Sequence, residues 1–125
     1  MKKKKAILVV EDELMLLGLL KAILEEEGYR VETAKDGEEA VEVFRRCKED
    51  IDLVLSDMGL PKFGGWEVFR KLREIKPDVK VILASGFVDD SVKDDMIKQG
   101  ARDVIQKPYV TNLILARIRE VIDSD

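Results

Sequence analysis

The chain has 125 residues, 46% hydrophobic and 38% charged, enough for one buried core and too short for two. A formal net charge of −4 disfavours a nucleic-acid surface, because an acidic chain repels phosphate backbones instead of releasing their counterions. With no histidine and one cysteine, Cys47, an internal disulfide is excluded and a zinc centre is nearly so. The lysine-rich start followed by AILVV imitates a signal peptide, but the apolar run stops at Glu11, too soon for an h-region. No stretch approaches the ~20 apolar residues of a membrane span. These features predict a cytoplasmic chain with one domain over residues 1–125.

In chain order, the pattern alternates strand and helix. Ala6 to Val10 is a continuous apolar run, the mark of a strand covered on both faces. Leu16, Leu19, Leu20, Ile23 and Leu24 then form a helical stripe, and Gly28 stands where a helix takes its left-handed C-terminal residue. At about 100° per residue, Leu14 falls about 160° from that stripe and Leu17 about 100°. Tyr29 to Ala34 alternates, which predicts an edge strand. After Asp36 and Gly37, Ala40, Val41, Val43 and Phe44 mark a second helix.

Leu53 to Leu55 and Val79 to Ala84 read as further central strands. Between them lies a helix from Gly65 through Trp66, Val68, Phe69 and Leu72 to Ile75, stopped by Pro77. Trp66 and Phe63 are expected as core or loop anchors. Asp89 to Gln99 is a short polar helix with only Val92, Met96 and Ile97 to bury, and so the loosest. Asp103 to Gln106 predicts a second edge strand, and a final helix from Val110 or Thr111 to Ile122 buries Ile114, Ile118, Val121 and Ile122. Alternation with short links implies an α/β fold: a parallel sheet, helices on both faces, right-handed crossovers.

Four polar sites end apolar segments: Glu11 and Asp12 after AILVV, Asp57 after IDLVLS, Ser85 after VKVILA, and Lys107 after DVIQ. Strand ends are where open parallel sheets keep their chemistry. MGLPKFGG after Asp57 cannot continue a strand and leaves that aspartate at the mouth of an open loop. Three converging carboxylates repel by several kcal/mol at an effective dielectric of about 20, a conflict that a hard dication resolves. Oxygen-only ligands suit Mg²⁺, with Mn²⁺ as a substitute. Asp57 is the candidate nucleophile for a phosphoryl group, Lys107 the candidate counter-charge, and the Ser85 hydroxyl a candidate donor.

The chain resembles the CheY-like receiver domains of two-component response regulators in VVEDE, YRVETAKDGEEA, LVLSDMGLPKFGGWE, VILASG and GARDVIQKPY. The resemblance covers essentially the whole sequence. It implies a flavodoxin-like doubly wound (βα)5 sandwich with strand order 2-1-3-4-5, Asp57 as phosphoacceptor, and Asp12 as direct metal ligand. Glu11 would act on the metal mainly through water, and the Gly59 carbonyl would be a backbone ligand. Ser85 and Lys107 would pair with the phosphoryl group, with a cis peptide preceding Pro108. The implied donor is a phosphohistidine on a sensor histidine kinase or a histidine phosphotransfer protein. The ASGF and QKPY wording is most similar to receivers of hybrid histidine kinases. The signal would pass to a separate protein, a phosphotransfer partner, or neighbouring domains of a longer chain.

Two departures stand out. Val104 occupies the position where most receivers carry a switching aromatic. Phe87 and Gly59 replace the polar groups that often tune hydrolysis, so an altered hydrolysis rate is expected. Leu14, facing solvent beside Gly18, is a possible docking residue for the phosphodonor protein, and Leu113 is expected to be exposed on the output face. Three competing readings remain. A haloacid-dehalogenase-type phosphatase would place a D-x-D nucleophile at the first strand, whereas this strand ends E-D-E. A flavin module would need a glycine-rich phosphate turn where acids stand. A binding-only receiver would not need all five side chains of the site.

Overall fold

Strand and helix alternate through the computed structural model, which describes residues 4–60 and 64–124. The elements are β1 (Ala6–Val10), α1 (Leu14–Glu26), β2 (Arg30–Ala34), α2 (Gly37–Cys47), β3 (Ile51–Asp57), α3 (Gly65–Ile75), β4 (Val81–Ser85), α4 (Asp90–Lys98), β5 (Asp103–Gln106) and α5 (Thr111–Asp123). All neighbouring strands pair in parallel, in the order β2-β1-β3-β4-β5, as expected.

The sheet divides two apolar layers. Ile7, Val9, Leu53, Leu55 and Ile82 point toward α1 and α5, while Leu8, Val10, Val54, Val81 and Leu83 point toward α2 and α3. Successive strand residues face opposite sides, so one continuous apolar run feeds both layers. Local chemistry sets the helix ends. The Asp36 carboxylate accepts from Glu39 N–H at 2.8 Å, and Asp89 accepts from Val92 N–H at the same distance, each satisfying a free donor of a first helical turn. Gly28 has φ +96°, as predicted for the residue that ends α1.

Several expectations need correction. The buried face of α1 is Leu17, Leu20 and Leu24, not the stripe containing Leu19; Leu19 is exposed, and Leu16 and Ile23 are half-buried at its flank. Almost every position from Leu14 to Leu24 is apolar, so periodicity alone could not fix the rotation. The fourth strand begins at Val81 rather than Val79, because Val79 N–H is turned back to the Lys76 carbonyl at 3.0 Å. In β5, Asp103 is buried rather than half-exposed, held by Lys93 and Arg117, each at 3.6 Å. The polar helix α4 is loosely held, as expected, but it buries less than expected: Val92 and Met96 are only half-buried and Ile97 is exposed, since the helix presents too little apolar surface to be drawn down onto the core. Trp66 is half-buried against the core and stacks on Phe69 with ring centres 5.2 Å apart; Phe63 lies outside the described residues.

Candidate functional site

The C-terminal ends of the strands carry the site. Asp57 is the last residue of β3, Ser85 the last of β4, Glu11 and Asp12 follow β1, and Lys107 follows β5. Each loop leaves the sheet through a backbone hydrogen bond to a neighbouring strand or its end. Glu11 N–H donates to Ala34 O at 3.0 Å, Met58 N–H to Ala84 O at 2.8 Å, and Lys107 N–H to Ser85 O at 2.8 Å. The backbone that carries Glu11, Asp57 and Lys107 is therefore tied to the neighbouring strands where it leaves the sheet.

One carboxylate oxygen from each of Glu11, Asp12 and Asp57 lies within 4.8 Å of the other two, among the described residues. Glu11 is 1% exposed and Asp57 7%, whereas Asp12 opens to solvent. The Lys107 ammonium reaches across them, 3.1 Å from Glu11 Oε1 and 3.4 Å from Asp57 Oδ2. Glu13 N–H donates to Glu11 Oε2 at 3.1 Å, and Gly59 N–H to Asp57 Oδ1 at 3.3 Å. Burial raises the Glu11 carboxyl above its ordinary range, and the Asp57 charge adds to this against the opposing pull of Glu13 N–H and Lys107. Burial depresses the Lys107 ammonium, but Glu11 and Asp57 outweigh it and carry its pKa upward.

One lysine against three acids leaves a surplus of negative charge. The donors are all oxygen and two of the three side chains are buried, the chemistry of a hard divalent cation rather than of zinc or copper. The arrangement fits such an ion on its donor set and its charge.

Other predicted residues are placed differently. The Ser85 hydroxyl donates to Phe87 O at 3.1 Å and accepts from Phe87 N–H at 3.3 Å, so it is engaged in its own loop. Phe87 itself projects into solvent. Val104 is buried in the α2/α3 layer, against which Val88 and Met96 also pack. The Lys107–Pro108 peptide is cis, as the resemblance implied. Leu14 and Leu113 are exposed, 67% and 52%, as expected, and Met15 beside Leu14 is also exposed.

Two site-forming residues escaped sequence reasoning. A Cβ on Gly65 would fall 2.3 Å from Asp57 O and 2.5 Å from Met58 Cα, so only glycine lets the start of α3 lie against the loop that follows Asp57. Its signal was the GG pair after Asp57, which reads only as a breaker. Tyr109, within the QKPY motif, sets its ring 5.9 Å from Lys107 Nζ.

With this geometry in place, comparison with known proteins is direct. The sequence profile described as the response regulator receiver domain matches residues 7–119. A probable transcriptional regulator, ycf27 of Porphyridium aerugineum, is 38% identical over 120 residues, covering 96% of this chain and 49% of that protein. The sensor kinase CckA of Brucella abortus is 30% identical over 119 residues, 94% of this chain and 12% of that one. Among solved structures, a complex of CheX, CheY, BeF3 and Mg²⁺ from Borrelia burgdorferi matches with TM-score 0.90 and 29% identity, covering 96% of this chain and 90% of that one. The chain spans about half the length of the first curated relatives it matches. Among the described residues no helix is long and apolar enough to cross a membrane.

Proposed function

The chain belongs to the response regulator receiver domain family, a phosphorelay signalling switch, and on that premise we propose that Asp57 accepts a phosphoryl group from a phosphohistidine in a Mg²⁺-dependent reaction. An Asp57 carboxylate oxygen attacks phosphorus in line and forms the acyl phosphate. The phosphorus–nitrogen bond of the donor breaks, its electron pair returns to the imidazole nitrogen, and a solvent proton neutralises that nitrogen. The observation that carries this reading is the meeting of Asp57 with Glu11, Asp12 and Lys107 at the strand ends.

Asp12, Asp57 and the Gly59 carbonyl would hold the ion directly, and Glu11 mainly through water. Bound there, Mg²⁺, or Mn²⁺ in its place, supplies positive charge to the phosphoryl oxygens as transfer proceeds. Lys107 is already charged and already at Asp57, so it pairs with the incoming group without a new proton. Ser85 must leave its loop contacts with Phe87 to donate to the phosphoryl group. That exchange moves the segment leading into α4 and gives the switch a route that needs no aromatic at Val104. A Cβ on Gly59 would lie 3.9 Å from Asp57 Oδ2, so glycine here leaves the acyl phosphate open to water on that side, while Phe87 is placed to alter water entry from the β4 loop.

Residues 1–125 would act as one receiver unit, on its own or within a longer chain such as a hybrid kinase. Its donor would be a sensor histidine kinase or a histidine phosphotransfer protein. Leu14 and Met15 give that donor an apolar foothold one turn from the pocket. Leu14→Lys should slow transfer from the cognate donor and leave acetyl phosphate effective; equal loss with both donors counts against docking there.

Intact mass after incubation with Mg²⁺ and acetyl phosphate, with and without EDTA, tests the main reading. The expected result is one phosphoryl group, removed by hydroxylamine and absent in Asp57→Asn. No gain in any condition points to a binding-only receiver, and sustained phosphate release points to a phosphatase.

A further inference from the structure

A groove of about 520 Å³ runs between α1 and the start of α5, lined by Leu16, Leu20 and Ile114 and closed at the pocket end by Lys107 and Tyr109. Tyr109 is half-buried, and its ring packs on the same core layer as Leu16. Lys107 keeps only 22% of its side chain exposed, between this wall and the carboxylates. The two meet with the ammonium 5.9 Å from the ring centre, within the range at which an aromatic face attracts a cation.

A lysine stem has several free torsions and its ammonium is strongly hydrated, so position at the end of a loop is not guaranteed by the backbone. Glu11 holds it at 3.1 Å, but a carboxylate competes with the phosphoryl oxygens for its protons. An aromatic face attracts the charge without a lone pair that must be displaced. It also covers the ammonium on the groove side, where water would otherwise hydrate it. We propose that Tyr109 is the positioning residue for Lys107, its ring face retaining the ammonium beside Asp57 and Glu11 without itself occupying an N–H donor. The inference rests on the reading of Lys107 as the residue that pairs with the phosphoryl group. The phenol oxygen has no part in it.

Two variants separate ring from hydroxyl. Tyr109→Leu keeps apolar packing but removes the π face, and Tyr109→Phe keeps both. With Mg²⁺ saturating and acetyl phosphate as donor, Tyr109→Leu should slow acyl phosphate formation about two- to fivefold, the range of a partly exposed cation–π contact, while Tyr109→Phe stays at the wild-type rate. In a Lys107→Ala background, Tyr109→Leu should have no further effect. Equal loss in the Phe variant, or the same loss without Lys107, overturns the proposal and leaves Tyr109 a packing residue. Calorimetric titration with Mg²⁺ alone gives a readout free of phosphotransfer. Freed from the ring, the ammonium competes less for the carboxylates, so Tyr109→Leu should bind Mg²⁺ about two- to fivefold tighter, again only when Lys107 is present. If the wild type takes no phosphoryl group, the phosphoacceptor reading fails and the titration alone decides the Tyr109 assignment, an unchanged affinity refuting it.

Discussion

The pocket and helix α4 sit on neighbouring strands, yet they are held in opposite ways. Around Asp57 the side chains descend from strand ends tied by backbone hydrogen bonds, and Glu11 and Asp57 are buried. α4 has no fully buried residue, and its ties run through partly exposed side chains: Lys93 to Asp103 at 3.6 Å and, just past its C-terminal end, Arg73 donating to Gln99 O at 2.6 Å. One region must keep charged oxygens in fixed relation before any ligand arrives. On the reading proposed above, the other would change its arrangement for a free-energy cost that a phosphoryl group supplies, and sparse burial keeps that cost small.

Substitutions can break or sharpen this contrast. Phe44 is fully buried in the α2/α3 layer under the sheet, and Phe44→Ala should cost about 3–5 kcal/mol in urea unfolding, with the site lost as the fold is lost. Gly65→Ala should cost less, about 1–3 kcal/mol, because the new methyl meets the backbone of Asp57 and Met58 and the chain must shift to admit it. The telling result there is a Mg²⁺ affinity that falls further than stability does; unchanged Mg²⁺ binding would mean that α3 can retreat without disturbing Asp57. At the small end, Ile97→Ala on α4 should change stability by no more than about 0.5 kcal/mol, since Ile97 is largely exposed. Amide exchange should be faster along α4 than along β3, and equal protection would erase the distinction between the two regions.

Much of this was legible in the sequence because it depends on pattern. Continuous apolar runs at Ala6 to Val10 and Leu53 to Leu55 mark strands covered on both faces, and the polar residues that interrupt such runs, Glu11, Asp57, Ser85 and Lys107, must lie at strand ends. What pattern could not give is rotation and approach. In α1 the crowding of leucines allowed two faces, and the structure takes the one through Leu17 rather than Leu19. The Gly65 contact depends on how closely a helix start lies to a loop, and the Arg73–Gln99 bond joins residues 26 apart, one in α3 and one just past the end of α4. Neither leaves a periodic trace. Asp103 misled for a related reason: an acid at a strand end looks solvated until Lys93 and Arg117, from two different helices, are seen beside it.

The bond between Lys107 and Glu11 joins residues 96 apart, from the loop after the first strand to the loop after the last. In a growing chain, Glu11 has no Lys107 to pair with until β5 has been made and docked against β4. A partly synthesised chain, or one clipped before Lys107, carries Asp57 without the ammonium that lies 3.4 Å from it in the folded domain. Closure of the Lys107–Glu11 bond thus doubles as a report that the strands on either side of it, from β1 to β5, have been made and assembled.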